Sequence, residues 1–294
     1  MTSTRSEPIT IRKALLDARQ ALNRDDANLE AEVLLRHALG IDRARLYQNL
    51  DDPITDRDRA TLAGYLARRR AAEPLAYITG HREFFALDFA VTPAALIPRP
   101  ETETLVELVI TFAREQFADR PIVIADVGTG SGIIAVCLAT ALPNARIVAT
   151  DISRDALVLA CRNAINHCVS DRIDFRDGDL LAPLDAPVQI IAANPPYVKT
   201  QQWEESPPEI RDHEPRLALD GGPDGLDVIR RLLSEAPVRL ADDGALFCEI
   251  GAWQGVEARE LATGAFPEAH VDVASDQGGR DRVLMYANGA DDSQ

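Results

Sequence analysis

The chain has 294 residues, 46% of them hydrophobic and 27% charged, with a formal net charge of −16. That length suits one large or two ordinary domains with a full core. No apolar run approaches the ~20 residues that cross a bilayer and the N-terminus lacks a secretory apolar segment, so no membrane association and a cytoplasmic location are expected; the acidity excludes binding that works by neutralising phosphates, so no direct nucleic-acid partner is expected.

Residues 10 to about 72 read as helical. Ile11, Leu15, Ala18 and Leu22 share one face at 3.6-residue spacing. Asn28 is placed to cap a second helix carrying Ala31, Leu34, Leu35 and Ala38, with Gly40 at its end. Thr55 with Asp58 forms a capping-box pattern before Leu62 and Leu66. Arg68, Arg69 and Arg70 read as a solvated helix face, with a basic contact surface as the lesser reading. Residues 1–74 are therefore expected to form a small helical bundle. Residues 75–104 change character: "REFFALDFAVTP" suggests a β-hairpin in a linking segment, and "LIPRPETE" suggests an ordered turn before a helix over 102–117.

From residue 121 onward, apolar strand candidates at 121–127, 145–150, 172–176, 188–193, 244–250, 269–274 and 281–287 are separated by helical stretches at 132–142, 153–167, 225–238 and 254–264. Alternation of this kind indicates an α/β domain over 105–290, with a doubly wound, mostly parallel sheet of seven strands. The short link "SDQGGRD" is too brief for a parallel crossover, so the last two strands are expected to be antiparallel. Residues 289–294, "GADDSQ", read as a frayed tail. Cys137, Cys161, Cys168 and Cys248 form no C-x-x-C pair and read as buried, reduced thiols. None of the five histidines has metal-ligand spacing with another, so no metal is expected.

"DVGTGSG" places Gly128, Thr129, Gly130, Ser131 and Gly132 between the first sheet strand and a helix. Glycines there permit a tight turn and close approach of a ligand to the backbone. The spacing is G-x-G-x-G, not the G-x-G-x-x-G of dinucleotide enzymes. Asp151 ends the next strand, where a carboxylate accepts hydrogen bonds from both hydroxyls of a ribose. Loop and acid together indicate a nucleoside-containing cofactor. Asp126 lies beside the loop, and its charge is expected to disfavour a pyrophosphate and to suit a cationic cofactor such as S-adenosyl-L-methionine.

The fourth sheet strand stops at Asn194, Pro195, Pro196 and Tyr197. Two prolines lack backbone donors and end the strand in a rigid corner. With the glycine loop and Asp151, this "NPPY" resembles class I, Rossmann-like methyltransferases that act on a planar nitrogen, either an adenine amino group or a glutamine amide. Such a nitrogen is a poor nucleophile because its lone pair is delocalised. The corner answers this: the Asn194 side-chain oxygen and the Pro195 carbonyl can each accept one hydrogen of the target NH2, and Tyr197 can pack on its flat face.

"PLAYITGHREFF", "LIPRPETE", "NPPYV" and "HEPRLALDGGPDGLD" extend the resemblance over nearly the whole chain, to the PrmC/HemK family of protein-(glutamine-N5) methyltransferases. The resemblance implies methylation of the glutamine in the Gly-Gly-Gln loop of peptide-chain release factors, a cytoplasmic step in translation termination; a monomer is expected. It implies cofactor contacts from Gly128 to Gly132, Asp151, Leu180 and Asn194, with Asn194, Pro195 and Tyr197 catalytic and Pro196 also touching substrate. "GDLL" departs from relatives that carry tryptophan at the position of Leu180, so adenine stacking is expected to be replaced by an apolar contact. Arg99 and Glu101 read as loop-ordering groups, with direct ligand contact as the lesser reading, and Glu214 and Arg216 as pins for a substrate-side loop. Phe84 and Phe85 suit either a substrate wall or the hairpin core. Adenine methylation of nucleic acid, which shares the NPPY chemistry, is disfavoured by the charge.

Overall fold

The computed structural model describes residues 9–267 and 270–287, so the tail "GADDSQ" and position 269 of an expected strand lie outside the described residues. The chain divides into two compact units, Met1–Gly80 and His81–Gln294. The first is helical: Ile11–Leu22, Ala27–Leu39, Arg43–Gln48, Asp56–Arg70 and Leu75–Thr79. Leu15, Ala18, Leu34, Leu35, Leu46 and Leu62 form its apolar core. Thr10 caps the first helix by accepting from the Lys13 amide, and Gly40 ends the second in the left-handed region, at φ 63°. Thr55 accepts from the Asp58 amide, and its hydroxyl donates to the Asp58 carboxylate at 2.7 Å.

Two local expectations fail here. The second helix starts at Ala27, so Asn28 lies inside it and Asp26 holds the cap position. The triple arginine is not a solvated face throughout. Arg69 is buried and donates to Glu30 at 2.7 Å and to the Glu73 carbonyl at 2.9 Å. Burial pushes the Glu30 carboxyl up, but bonds and charge from Arg69 and Arg24 outweigh it and hold Glu30 below the usual carboxylate range. Arg68 pairs with Glu73, and Arg70 is exposed. Helical spacing carried position 69 inward, where it met a carboxylate from another helix.

The second unit opens with a hairpin, β1 (His81–Phe84) and β2 (Leu87–Ala90). Phe84 and Phe89 are fully buried in the core and meet edge to face. Seven strands follow: β3 (Ile122–Val127), β4 (Ala145–Asp151), β5 (Ile173–Asp177), β6 (Val188–Ala193), β7 (Leu240–Glu249), β8 (His270–Ser275) and β9 (Asp281–Ala287). Their order is β5-β4-β3-β6-β7-β9-β8. Neighbours from β5 to β7 are parallel, and β9 runs antiparallel to both β7 and β8, as the short link requires.

Helices Thr102–Phe117, Ile133–Ala141 and Arg154–Asn166 pack one face of the sheet. Asp227–Glu235 and Gly255–Ala265 pack the other. Strands buried on both faces explain apolar runs such as "IVIADV" and "VQIIAA". The sheet order reverses at β3, with β4 on one side and β6 on the other. A crevice opens at such a switch point, outside the carboxyl ends of the strands.

Candidate active site

A cavity of about 260 Å3 occupies that crevice. Its lining includes Gly128, Thr129, Gly130, Ser131, Asp151, Leu180, Asn194, Pro195 and Pro196. Four separate strand ends thus bring together residues that are far apart in the chain. Gly132 and Tyr197 are not among the lining residues.

The glycine loop is held by its own backbone. The amides of Gly128 and Thr129 both donate to the Thr150 carbonyl at 2.9 Å, tying the loop to β4. Gly128 and Gly130 lie in the left-handed region, at φ 72° and 56°. The Asp151 carboxylate accepts from the Gly130 amide and the Ser153 amide, each at 2.8 Å. Those bonds fix the carboxylate at the cavity wall with lone pairs remaining for a ligand. Burial pushes its pKa up, while the backbone bonds pull it down. Leu180 has φ 46°, and its carbonyl accepts from the Thr150 hydroxyl at 2.9 Å. Gly132 has a packing role: a Cβ there would lie 3.0 Å from the Ala160 Cβ, so the glycine lets two helices approach closely.

Asp126 corrects an expectation. It is fully buried, accepts from the Thr129 hydroxyl at 2.6 Å and the Ala135 amide at 3.0 Å, and does not line the cavity. Burial pushes its pKa up to about 7. Its work is to brace the loop against the following helix.

The proline corner is held from outside. Asn194 donates through Nδ2 to the Thr102 hydroxyl at 3.1 Å. The Tyr197 hydroxyl donates to Glu249 Oε1 at 3.1 Å, so the ring turns away from the cavity. Gln254 donates to the carbonyls of Tyr197 and Gly225, at 3.3 and 3.0 Å. The Val198 amide donates to the Leu219 carbonyl, and the Gly221 amide returns to the Val198 carbonyl. A Cβ at Gly221 would come within 2.6 Å of the Pro196 carbonyl oxygen and one at Gly225 would press closer still on the Tyr197 carbonyl oxygen, so "LDGGPDG" seats these two glycines directly against the corner.

Glu214 accepts from the Ile97 amide at 3.1 Å and from Arg99 at 2.5 Å, which locks "LIPRPETE" to the loop before Arg216. Arg216 forks onto Asp220 and lies 4.2 Å over the Trp203 ring. Sequence reasoning did not single out Thr102, Glu249 or Gln254. The available signal for Glu249 was a carboxylate closing the otherwise apolar "ALFCE".

The PrmC N-terminal domain family matches residues 13–80, and the Methyltransferase small domain family matches 107–207. A release factor glutamine methyltransferase of Geobacter sulfurreducens is 43% identical over 282 residues, covering 94% of this chain and 95% of that protein. The chain belongs to the release factor glutamine methyltransferase family. A second member, from Moorella thermoacetica, is also 43% identical and covers 94% of this chain and 98% of its own length. Among solved structures, the catalytic domain of hMettl16 with an RNA hairpin superposes with a TM-score of 0.55 at 17% identity, covering 78% of this chain and 84% of that one. At that identity the likeness shows the class I methyltransferase fold and no more.

Proposed function

We propose that this enzyme transfers the methyl group of S-adenosyl-L-methionine to the side-chain amide nitrogen N5 of the glutamine in the Gly-Gly-Gln loop of peptide-chain release factors. The observation that carries the reading is one cavity whose wall runs from Asp151 and the glycine loop to Asn194 and Pro195. Its donor set suits the cofactor: a fixed carboxylate for ribose hydroxyls, exposed loop backbone, and apolar side chains at Leu180, Ile152 and Ala156. When bound, S-adenosyl-L-methionine supplies an electrophilic methyl on a sulfonium.

The remaining work falls to the protein. Asn194 has its Nδ2 committed to Thr102, which leaves Oδ1 as an acceptor for one hydrogen of the glutamine NH2. The Pro195 carbonyl accepts the other. Two acceptors polarise the nitrogen and direct its lone pair, and rigid proline backbone keeps them in place before the substrate arrives. No strong base is needed, because the amide sheds a proton to solvent as it becomes cationic. Tyr197 acts through its bond to Glu249, fixing the corner. The helical unit is assigned to gripping the release factor, and the enzyme to the cytoplasm as a monomer; among the described residues, no helix is long and apolar enough to cross a membrane.

Incubation with labelled S-adenosyl-L-methionine and purified release factor, followed by mass mapping, is expected to place one methyl on that glutamine. Glutamate at the target is expected to remain unmodified, because a carboxylate offers no N–H to Asn194. Label on duplex DNA in a parallel reaction, and none on the release factor, would overturn the reading.

A further inference from the structure

Strand β4, "ARIVATD", carries one hydroxyl, Thr150, and buries it completely. An apolar residue is the default in a strand covered on both faces, so a hydroxyl there must answer to a partner. Its hydrogen goes to the Leu180 carbonyl at 2.9 Å. The main-chain carbonyl of Thr150 takes the amides of Gly128 and Thr129, each at 2.9 Å, which uses both of its lone pairs. One residue thus grips two segments that line the cavity: the glycine loop after β3, by backbone, and the turn around Leu180 after β5, by side chain.

That turn needs holding. Leu180 has φ 46°, in the left-handed region that a residue with a Cβ occupies only at a cost. Its neighbours are anchored on either side. The Gly178 amide donates to the Asp151 carbonyl at 3.0 Å. Leu181 is fully buried in the core on the Asp227–Glu235 side of the sheet, and its amide donates to the Glu235 carboxylate at 3.3 Å. Between these anchors the Leu180 carbonyl is drawn back to β4, while Leu180 itself lines the cavity. The residue after Thr150 is Asp151, the carboxylate assigned to the ribose hydroxyls, and a base joined to that ribose falls among apolar lining groups such as Leu180 and Ile152.

We propose that Thr150 is a positioning residue for the cofactor: its hydroxyl holds Leu180 in the left-handed turn that makes this side chain the apolar wall beside Asp151, against which the adenine of S-adenosyl-L-methionine packs. The proposal rests on the cavity holding that cofactor and is independent of the methyl acceptor. Thr150 is not among the lining residues, so it acts through Leu180 and not by contact. Without the hydroxyl, the Leu180 carbonyl loses its donor and the left-handed conformation loses its restraint. The adenine takes no part in bond making, so the wall binds ground state and transition state alike; its loss falls on affinity and not on the rate at saturation.

The test measures S-adenosyl-L-methionine binding by calorimetry and methyl transfer at saturating cofactor. Thr150→Val keeps the branched shape and removes the hydrogen. Its cofactor Kd is expected to rise roughly tenfold, with kcat at saturation within roughly threefold of wild type. Thr150→Ser, which keeps the hydroxyl, is expected to hold Kd within roughly threefold of wild type. Glycine occupies the left-handed region freely and supplies no wall, so in a Leu180→Gly background the hydroxyl has nothing left to position. There Thr150→Val is expected to change Kd by less than roughly threefold, whereas a general weakening of the strand or of the glycine loop would repeat the full loss.

Equal Kd in wild type and Thr150→Val, equal losses in the valine and serine variants, or the same fold-loss in the Leu180→Gly background would each overturn the proposal. Should the valine variant not fold, Thr150→Ala beside Thr150→Ser decides the same question, since that pair also differs by the hydroxyl. Two unfolded variants beside a folded serine variant would make the hydroxyl purely structural and overturn the proposal too. Wild type that binds the cofactor but leaves the release factor unmethylated sinks the functional reading, and calorimetry still decides the role of Thr150. Wild type that takes up no S-adenosyl-L-methionine sinks both.

Discussion

The glycine loop after β3 and the proline corner after β6 line one cavity from the ends of adjacent strands and are built by opposite means. The loop is ordered by main-chain bonds to the adjacent strand and by the Asp126 and Asp151 carboxylates, all within about one βαβ repeat of sequence. Proline removes donors from the corner, which therefore cannot order itself. It is held by side chains from distant elements, Thr102, Glu249 and Gln254. A cofactor site can be made from a local motif because it must shape backbone around a ligand. A site that orients one hydrogen-bonding atom needs buried polar partners brought in from other elements of the fold.

Substitutions can break this contrast at either wall. The largest effect is expected for Asn194→Ala. Losing one orienting bond costs ~1–3 kcal/mol, which predicts a fall in kcat of about tenfold to several hundredfold with cofactor affinity largely kept. Steady-state rates beside calorimetry would read this, and equal activity would remove the assigned role. Gly132→Ala tests packing beneath the loop. Its left-handed φ of 83° and the 3.0 Å approach to Ala160 predict a stability loss of about 1–3 kcal/mol in urea unfolding.

Asp151→Ala is expected to weaken S-adenosyl-L-methionine binding by roughly tenfold, about 1.4 kcal/mol, by calorimetry; unchanged affinity would overturn the ribose assignment. For Asp126→Asn the expected effect is on the slope of stability with pH, not on activity. Burial raises the folded pKa from 3.8 to about 7, so the native state holds its proton more tightly than the unfolded chain. The stabilisation from this proton is fully present below about 3.8 and is lost as pH rises through about 7. Denaturant titrations should show wild type losing stability relative to Asp126→Asn across that window, and parallel curves would contradict the buried placement.

Much of this architecture was legible in the residue pattern, because its causes act between near neighbours. The seven strands and the helices between them fall within a few residues of their expected places, since period-2 or fully apolar runs alternating with 3.6-residue periodicity are local facts. The largest boundary difference is at β7, which begins at Leu240 through polar "ADD" where apolar pattern alone suggested 244. Pairing of Val188 with Leu240 across the neighbouring strand extends it. Asn28 misled because a good capping residue two positions past the true cap, Asp26, looks the same in sequence. Asp126 misled because a carboxylate beside a glycine loop gives no sign of whether it faces the ligand or the helix behind.

By itself the amino-acid order determined the doubly wound α/β fold, the G-x-G-x-G turn, the acid at the end of the second strand and the stiff Asn-Pro-Pro-Tyr corner, because each is imposed by backbone sterics or hydrophobic period over a short span. Only the tertiary structure decided that Arg69 is buried against Glu30, 39 positions away, that Asn194 gives its amine end to Thr102, 92 positions away, and that Tyr197 turns to Glu249, 52 positions away. A buried polar group must find a partner wherever the fold brings one within reach. That choice depends on three-dimensional neighbours and leaves no periodic trace along the chain.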